Sequence, residues 1–362
     1  KRQFIGLVND HNQNWVLDMG LPGPDAGKGG KHLVLPPDYK GDIPDGYHVG
    51  HSKSLKNLVA VRALPAEGDL QKALEGLRSI RIYPLASAAN PTPLPAIDTS
   101  QKAMDSSSLR WEDNFQFWQR LDKVIQEETL VPEFLPMYGL LAELGIEKGK
   151  PFKPDARLKS ILERAAREGR GQMLVAAFDS TRSDRKNWPD RQWEWAGLVP
   201  ANAQFLTPAG IDLDARDRWF AQAIVTSPAM FRRDAGAGSL YWLGARDNKG
   251  AYLDGGKRYR LILPQPVPGK LFWSVTLYDA ATRSQVQTDQ DKAALRSLFE
   301  LKDLDKTHPV ELYFGPQAPK GHENRWIKTA PGRGWFAYIR IYGPETAAFD
   351  KSWKPGDFEL IK

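Results

Sequence analysis

The side chains best suited to recognise a polar ligand are concentrated in one stretch, FWSVTLYDAATRSQVQTDQ at residues 272–290. Its first half alternates, so that in a strand one face presents aromatic rings and hydroxyl groups, from Phe272, Ser274, Thr276 and Tyr278. Its second half is dense in donors and acceptors, and Arg283 supplies a guanidinium fork that suits a carboxylate or a sulfate. The stretch therefore predicts a ligand site. An alternative stays open, in which the same side chains stabilise turns and contact a neighbouring domain.

A second stretch, NWPDRQWEW at residues 187–195, places charged side chains among three tryptophans. The alternation suits a wall that stacks sugars and anchors them through Asp190 and Arg191. It suits a domain interface equally well, because tryptophan and arginine are enriched at interfaces. The full set of predicted ligand-binding residues is Asp190, Arg191, Trp193, Tyr278, Asp279, Arg283, Gln287, Asp289, Trp326 and Arg340.

The glycine-rich stretch at residues 20–41, GLPGPDAGKGGKHLVLPPDYKG, invites comparison with phosphate-binding loops. A Walker A loop requires a glycine five residues before its Gly-Lys pair and a Ser or Thr after that pair. Pro22 and Asp25 occupy the positions of that glycine, and neither Lys28 nor Lys31 precedes a hydroxyl residue. An apolar run that ends at two prolines follows. The loop is therefore predicted to join two strands and to bind no nucleotide.

The sequence contains no cysteine, which excludes disulfides, thiolate metal sites and a cysteine nucleophile. Four of the six histidines fall early, at His11, His32, His48 and His51. The tightest pair, His48 and His51, would face opposite sides of a strand, which opposes chelation. No metal and no cofactor is predicted. Catalytic carboxylates cannot be chosen among 44 acidic residues, and no G-x-S-x-G elbow is present, so no catalytic residue is assigned.

The chain has 362 residues and a formal net charge of +6, with its charges interspersed and no basic block. This pattern gives no support to nucleic-acid binding. The sequence has no apolar run of roughly 18 residues, so no transmembrane segment is predicted. Its 12 tryptophans and 11 tyrosines are typical of packed cores or of stacking platforms. A soluble protein with a small polar ligand is predicted, and a homo-oligomer stays open.

Hydrophobic periodicity divides the chain into three parts. Short alternating runs between glycine and proline turns predict strands from residue 1 to about 66, and strands return from about residue 236 at the spacing of an all-β sandwich. The predicted elements in between are a helix within 68–80 capped by Asp69, a strand at 80–85, a proline-punctuated linker at 86–108 and helices within 108–128, 131–145, 153–169 and 212–231.

Several segments resemble one family of bacterial proteins, among them VLDMGLPGPDAGKGGKHLVLPP, LGIEKGKPFKPDARLKSILERAA, PDRQWEW, AYLDGGKRYRL, YFGPQAPKG and GWFAYIRIYGP. Their order along nearly the whole chain is similar to proteins that combine a DUF1254 domain with a C-terminal DUF1214 domain, a family without an assigned function. The resemblance implies a mixed α and β fold that is mainly β. It implies an immunoglobulin-like N-terminal sandwich, a helical middle region and a C-terminal jelly-roll-like sandwich.

The pattern and the resemblance together predict domains at 1–98, 99–235 and 236–362. Members of that family usually carry a signal peptide, so the resemblance implies an exported protein, periplasmic or secreted. The chain enters a strand-like run directly from Lys1 without a methionine, and we expect it to lack its native N-terminal portion.

The leading prediction of function is a protein that binds a polar, carbohydrate-like or anionic ligand in a groove of the C-terminal sandwich, next to the segment at 180–195. One alternative is an extracytoplasmic hydrolase that uses Asp or Glu from the same groove. Another is a structural or assembly module in which the tryptophans form interfaces. A concave pocket with Arg283 and two acids would favour the first two, and a flat aromatic surface would favour the third.

Overall fold

The computed structural model describes residues 3–65, 69–91, 95, 97–99, 110–198, 203–223, 225–236 and 238–361. The chain separates into two compact units. The first unit comprises Lys1–Asp105, Glu112–Glu168 and Val225–Ser227, and the second comprises Ser106–Trp111, Gly169–Ile224 and Pro228–Lys362. The predicted division at 1–98, 99–235 and 236–362 stays a prediction.

The first half of the chain contains five strands and four helices in its described residues. Their bounds are β1 (Gln3–Asp10), β2 (Trp15–Gly20), β3 (Lys31–Leu35), β4 (Tyr47–His51), β5 (Asn57–Leu64), α1 (Leu70–Arg78), α2 (Gln116–Glu127), α3 (Leu135–Glu143) and α4 (Ala156–Phe178). In the first unit, β1 lies between β2 and β5 in an antiparallel sheet, and β3 pairs with β4 in parallel. Val8, Val16 and Leu17 form a buried cluster. The immunoglobulin-like sandwich stays a prediction.

The glycine-rich loop joins β2 to β3, which confirms the predicted strand-to-strand connection. Gly20 has a φ of +74°, and a Cβ atom at this position would lie 2.1 Å from the carbonyl oxygen of Phe4. Only glycine fits there. Asp25 accepts hydrogen bonds from the backbone N–H groups of Gly20 at 2.7 Å and Gly29 at 3.2 Å. The loop is therefore stabilised by its own carboxylate.

Two of the predicted elements are wrong. The strand at 80–85 is absent, because its alternating residues have no neighbouring strand and Ile80 and Ile82 are exposed. Helix α4 does not end at Gly169 but continues to Phe178, since a single glycine costs a helix only about 1 kcal/mol. The predicted linker at 86–108 lies mostly outside the described residues.

Helix α1 begins where the sequence predicts, and its cap has the expected geometry. Asp69 accepts a hydrogen bond from the backbone N–H of Lys72 at 3.0 Å. The prediction at 212–231 is correct only in its first half. The helix there ends at Gln222, and a 3₁₀ turn follows at Pro228–Met230.

The second half of the chain is built mainly from strands. The elements after α4 are β6 (Glu194–Trp195), β7 (Leu206–Thr207), β8 (Gly210–Ile211), α5 (Leu213–Gln222), β9 (Ser239–Gly244), β10 (Arg258–Leu263), β11 (Gly269–Asp279), β12 (Ala294–Arg296), β13 (Val310–Gly315), β14 (Trp326–Lys328), β15 (Trp335–Pro344) and β16 (Glu359–Ile361). The predicted mixed fold that is mainly β is confirmed.

Two sheets dominate the second unit. The larger one is antiparallel and has the strand order β12-β11-β15-β9-β6, and the smaller one has the order β14-β13-β10-β16. Ring contacts join them, because Trp335 in β15 lies 5.6 Å from Phe314 in β13 and 5.8 Å from Tyr259 in β10, measured between ring centroids. The jelly-roll-like connectivity stays a prediction.

Candidate functional site

The larger sheet has one apolar face and one face that is rich in tyrosine. Side chains alternate along β11 and β15, so that Val275 and Ile339 point to the apolar face. Arg340 points to the other face, where the strand register sets it opposite Ser274 of β11 and Tyr241 of β9. We call this second face the tyrosine face, and its aromatic and polar residues are Ser239, Tyr241, Phe272, Ser274, Thr276, Tyr278, Phe336, Tyr338, Arg340 and Tyr342. The alternation predicted for residues 272–278 is confirmed.

Arg340 lies on the central strand of the tyrosine face, and only 8% of its surface is exposed. It donates hydrogen bonds from Nη1 to the hydroxyl of Tyr278 and from Nη2 to the hydroxyl of Tyr241, both at 3.3 Å. Its Cζ atom lies 4.9 Å from the ring centroid of Tyr241 and 5.7 Å from that of Tyr342. Its buried Nε has no hydrogen-bond partner, and no carboxylate pairs with the guanidinium, among the residues that the structure describes.

Hydroxyl groups surround this guanidinium on the neighbouring strands. Ser239 donates from Oγ to the hydroxyl of Tyr241 at 3.1 Å, and the hydroxyls of Ser274 and Thr276 lie 3.2 Å apart. Burial raises the pKa of Tyr338 well above its usual range, so its hydroxyl stays protonated at neutral pH. The tyrosine face therefore offers one cation and several neutral hydroxyls.

Helix α5 and the end of α4 pack on the tyrosine face. The hydroxyl of Tyr338 donates to Oε1 of Gln222, the last residue of α5, at 3.0 Å. Phe178, the last residue of α4, lies 5.1 Å from Phe336 between ring centroids. Arg218 of α5 is completely buried and donates to Oε2 of Glu194 at 2.6 Å. These contacts fix the helices over the site.

The turn after β11 is held by Asp279. Its Oδ1 accepts hydrogen bonds from the backbone N–H groups of Ala281 and Thr282, both at 2.9 Å, and its Oδ2 accepts one from Nε of Arg333 at 2.6 Å. Burial acts to raise the pKa of Asp279, but Arg333 and the backbone donors hold it below its usual value. The predicted ligand contact is thus a carboxylate that already has four donors from the protein when the hydroxyl of Thr282 is included.

Arg283 follows in the same turn with a φ of +56°, in the left-handed region. Its side chain is half-buried, and its Nη1 donates to the carbonyl oxygen of Phe220 in α5 at 2.6 Å. Its Cζ lies 4.6 Å from the ring centroid of Trp111. Burial lowers the pKa of Arg283 to about 10. The predicted anion fork therefore contacts a helix end and a tryptophan ring.

The other residues predicted in this region belong to the smaller sheet or are exposed to solvent. Asp289 forms an exposed ion pair with Nζ of Lys328 at 2.6 Å. Trp326 of β14 donates from Nε1 to the carbonyl oxygen of Gly315 at 2.9 Å, and Gln287 is exposed. Of the predicted residues, Tyr278 and Arg340 lie on the tyrosine face, and a hydrogen bond joins them.

Comparison with known proteins places the chain in a family. Residues 238–346 match a family described as "Protein of unknown function (DUF1214)", and residues 1–84 match one described as "Protein of unknown function (DUF1254)". The chain is a DUF1254/DUF1214 protein. The family resemblance that the sequence motifs carry is confirmed. The DUF1214 match contains every residue of the tyrosine face.

Two solved structures are similar to this DUF1254/DUF1214 chain. The VPA0106 protein of Vibrio parahaemolyticus is 17% identical with a TM-score of 0.56, and the match covers 100% of this chain and 83% of that one. An uncharacterised protein of Burkholderia cenocepacia is 14% identical with a TM-score of 0.28, over 63% of this chain and 49% of that one. The first likeness supports the fold alone. No curated protein matches the sequence. In the described part of the chain, no helix has the length and apolarity to cross a membrane.

The tryptophan-rich segment of the DUF1254/DUF1214 chain packs against residues near its C-terminus. Trp193 is only 1% exposed and donates from Nε1 to the carbonyl oxygen of Gly356 at 2.7 Å. Arg191 donates from Nε to the carbonyl oxygen of Pro355 at 2.9 Å, and Asp190 pairs with Nζ of Lys354 at 2.6 Å. These contacts give the three predicted residues a packing role, and their part in ligand binding stays a prediction.

The early histidines of this DUF1254/DUF1214 chain lie in its first unit. His32 of β3 faces His48 of β4 with ring centroids 5.1 Å apart, and Asp25 lies 3.4 Å from His32 Nε2. Burial lowers the pKa of His32. His11 pairs with Glu128 at 2.9 Å. Within the described ranges, no group of three or more His, Asp or Glu side chains is arranged to hold a metal ion.

Three tyrosines of the tyrosine face were not predicted as site residues, namely Tyr241, Tyr338 and Tyr342. The signal for Tyr338 and Tyr342 is present in the sequence GWFAYIRIYG, where Tyr338, Arg340 and Tyr342 follow each other at every second position. This spacing places all three on one face of a strand. The alternation that predicted a hydroxyl-bearing face for residues 272–278 therefore also predicts a tyrosine-bearing face for β15 of this DUF1254/DUF1214 chain.

Proposed function

We propose that this DUF1254/DUF1214 protein binds a small anionic ligand at the tyrosine face, with Arg340 as the cation that recognises it. The observation that carries the proposal is the burial of Arg340 without a carboxylate partner among the described residues. A guanidinium stays charged at physiological pH, and burying an isolated charge costs several kcal/mol. An anionic ligand offsets that cost when it pairs with the guanidinium.

The contacts of Arg340 support the same proposal. Its two hydrogen bonds to tyrosine hydroxyls measure 3.3 Å, longer than the 2.7–3.2 Å typical of strong N–H···O bonds. The hydroxyl of Tyr278 accepts one of these bonds and retains its own hydrogen for an acceptor such as a carboxylate oxygen. Aromatic rings with a few convergent polar groups are typical of small-molecule sites. We therefore expect the ligand to combine an anionic group with an apolar body.

The acidic residues near the site favour binding over hydrolysis. Asp279 has a pKa held below its usual value, whereas a general acid or base works best with a pKa near the operating pH. Asp289 is exposed and paired with Lys328. The hydrolase alternative thus lacks a carboxylate that is poised for proton transfer at these positions.

Calorimetric titration with sodium benzoate and with benzamide tests the proposal. The two probes have the same ring and nearly the same shape, but only benzoate carries a charge. We expect benzoate to bind and benzamide to bind at least about tenfold more weakly, which corresponds to about 1.4 kcal/mol. Arg340→Met should abolish benzoate binding. Arg260→Met removes an arginine of the smaller sheet, which pairs with Glu311 and Glu359, and should leave it unchanged.

The proposal is wrong if Arg340→Met binds benzoate as well as the native protein does. Equal binding of benzamide would show that the ligand needs no charge. Tight binding of a neutral monosaccharide would favour a carbohydrate-like ligand instead. The location outside the cytoplasm remains a prediction from the family resemblance.

A further inference from the structure

The charges around Arg340 determine which anions its site accepts. Arg218 of α5 is also completely buried, and it pairs with Glu194 at 2.6 Å. Arg283 lies in the turn beyond β11, and its guanidinium contacts the carbonyl of Phe220 and the ring of Trp111. Tyr338 stays protonated because burial raises its pKa. Among the described residues, the tyrosine face therefore presents one positive charge, that of Arg340, which no carboxylate compensates.

We infer that the site selects ligands with one negative charge and rejects dianions, an inference that rests on the proposed function. The inference follows from the buried position of Arg340 and from the hydroxyl groups that face it. A monoanion and one guanidinium form a neutral pair. A dianion would leave one negative charge without a partner in a site of low solvent access, and such a charge is costly.

The hydroxyl groups reinforce this selectivity. Tyr278 and Ser274 stand on β11 beside the guanidinium, and hydroxyls donate hydrogen bonds without supplying charge. They satisfy the oxygen atoms of a carboxylate or sulfonate but do not neutralise a second negative charge. Sites that bind doubly charged phosphates typically use several arginines, a lysine or a helix N-terminus. The ligand class is therefore a monoanion, with a carboxylate as its simplest member.

Three probes that share a phenyl ring separate the possibilities, namely benzoate, benzenesulfonate and phenyl phosphate. The first two are monoanions at both pH 5 and pH 8, whereas phenyl phosphate changes from a monoanion to a dianion because its second pKa is about 6. We expect the dissociation constant of phenyl phosphate to rise at least about tenfold from pH 5 to pH 8. The change in the dissociation constant of benzenesulfonate over the same pH range serves as the reference. Circular dichroism at both pH values checks that the protein stays folded.

Arg340→Lys keeps one charge and should bind all three probes more weakly while it preserves the preference for monoanions. Equal or tighter binding of phenyl phosphate at pH 8, abolished by Arg340→Met, would overturn the monoanion inference and leave the proposed function intact. If no probe binds in a way that depends on Arg340, the proposed function fails and the inference fails with it. A preference for the monoanion that Arg340→Lys retains would support both.

Discussion

Arg218 and Glu194 form a buried ion pair in which Nη2 lies 2.6 Å from Oε2, and the arginine is completely inaccessible to solvent. Arg340 of the same unit is also buried, but its neighbours are tyrosine hydroxyls and rings. Two arginines of one unit therefore stand in opposite electrostatic surroundings. Arg218 has a carboxylate partner, which it shares with Arg185 at 3.5 Å, whereas Arg340 carries a charge that no described carboxylate balances.

This contrast predicts opposite effects of the same substitution at the two positions. Arg340→Met removes a costly buried charge, and we expect the free energy of unfolding to stay the same or to rise by about 1–4 kcal/mol. Arg218→Met leaves the buried Glu194 carboxylate with only the more distant Arg185, at 3.5 Å, and should lower the free energy of unfolding by about 3 kcal/mol. Urea unfolding followed by tryptophan fluorescence measures both. A similar large loss in the two variants would contradict the prediction.

Arg283 contributes more to stability than its sequence position suggests. A surface arginine in a turn would cost less than about 1 kcal/mol on removal. Here Arg283→Ala loses the bond to the Phe220 carbonyl and the contact with Trp111, and we expect a loss of about 1–3 kcal/mol. Arg283→Gly loses the same contacts but relieves the φ of +56°, so it should be about 1 kcal/mol more stable than the alanine variant. Thermal unfolding of the two variants checks both values.

Asp279 stabilises the turn after β11 because its carboxylate accepts hydrogen bonds from the backbone of the turn and from Arg333. Asp279→Ala leaves the N–H groups of Ala281 and Thr282 without their acceptor and breaks the pair with Arg333, which should cost about 2–3 kcal/mol. Arg333→Gln is a control that keeps the turn and removes only a half-exposed cation, at about 1 kcal/mol or less. Equal losses in these variants, measured by urea unfolding, would show that the ion pair, not the turn, stabilises this region.

Asp18 should make the stability of the first unit depend on pH. Burial raises its pKa from 3.8 to about 6, although the hydroxyl of Ser227 donates to its carboxylate at 2.8 Å. The folded state therefore binds this proton more tightly than the unfolded state, and the stabilisation present below about pH 4 is lost as the pH rises to 6. Asp18→Asn should raise the free energy of unfolding by up to about 3 kcal/mol at pH 8 and little at pH 4.

Urea unfolding of Asp18→Asn and the native protein at pH 4, 5, 6 and 8 measures this difference. A difference that stays constant across these pH values would mean that Asp18 does not titrate in this range.

Two glycines of the loop between β2 and β3 allow the cost of a left-handed backbone to be measured separately from the cost of a steric clash. Gly29 has a φ of +82° and no atom within 4 Å of an added Cβ, so Gly29→Ala should cost about 1–2 kcal/mol for the left-handed backbone alone. Gly20→Ala meets the Phe4 carbonyl in addition, and should cost about 1–3 kcal/mol more. Melting temperatures of the two variants provide the comparison, and equal shifts would contradict the close approach at Gly20.

The local patterns in the sequence predicted the parts of the structure that depend on neighbours along the chain. The alternation in residues 272–278 predicted the hydroxyl-bearing face of β11, and Asp69 predicted the start of α1. Trp193 shows the limit of such patterns. Alternating tryptophans fit an exposed stacking wall and a buried cluster equally well, and only the contact with the distant Gly356 distinguishes the two.

The surroundings of Arg340 depend on strand order, which a single sequence does not contain. Its hydroxyl partners belong to β9 and β11, and they become neighbours only because β15 lies between these strands. Gln222, which covers Tyr338, is 116 positions away along the chain. The sequence therefore predicted Arg340 and Tyr278 as site residues. It could not predict that no described carboxylate pairs with Arg340, and this is the observation on which the proposed function rests.

The hydrogen bond between Tyr338 and Gln222 also has a kinetic consequence for the proposed site. It ties the last residue of α5 to the sheet over the face that carries Arg340. A ligand approaching from this side has to wait until the helix end opens, so the observed association rate should stop rising at high ligand concentration and level off at the opening rate. The bound ligand would in turn slow amide hydrogen exchange in the last turn of α5, because it favours the closed arrangement.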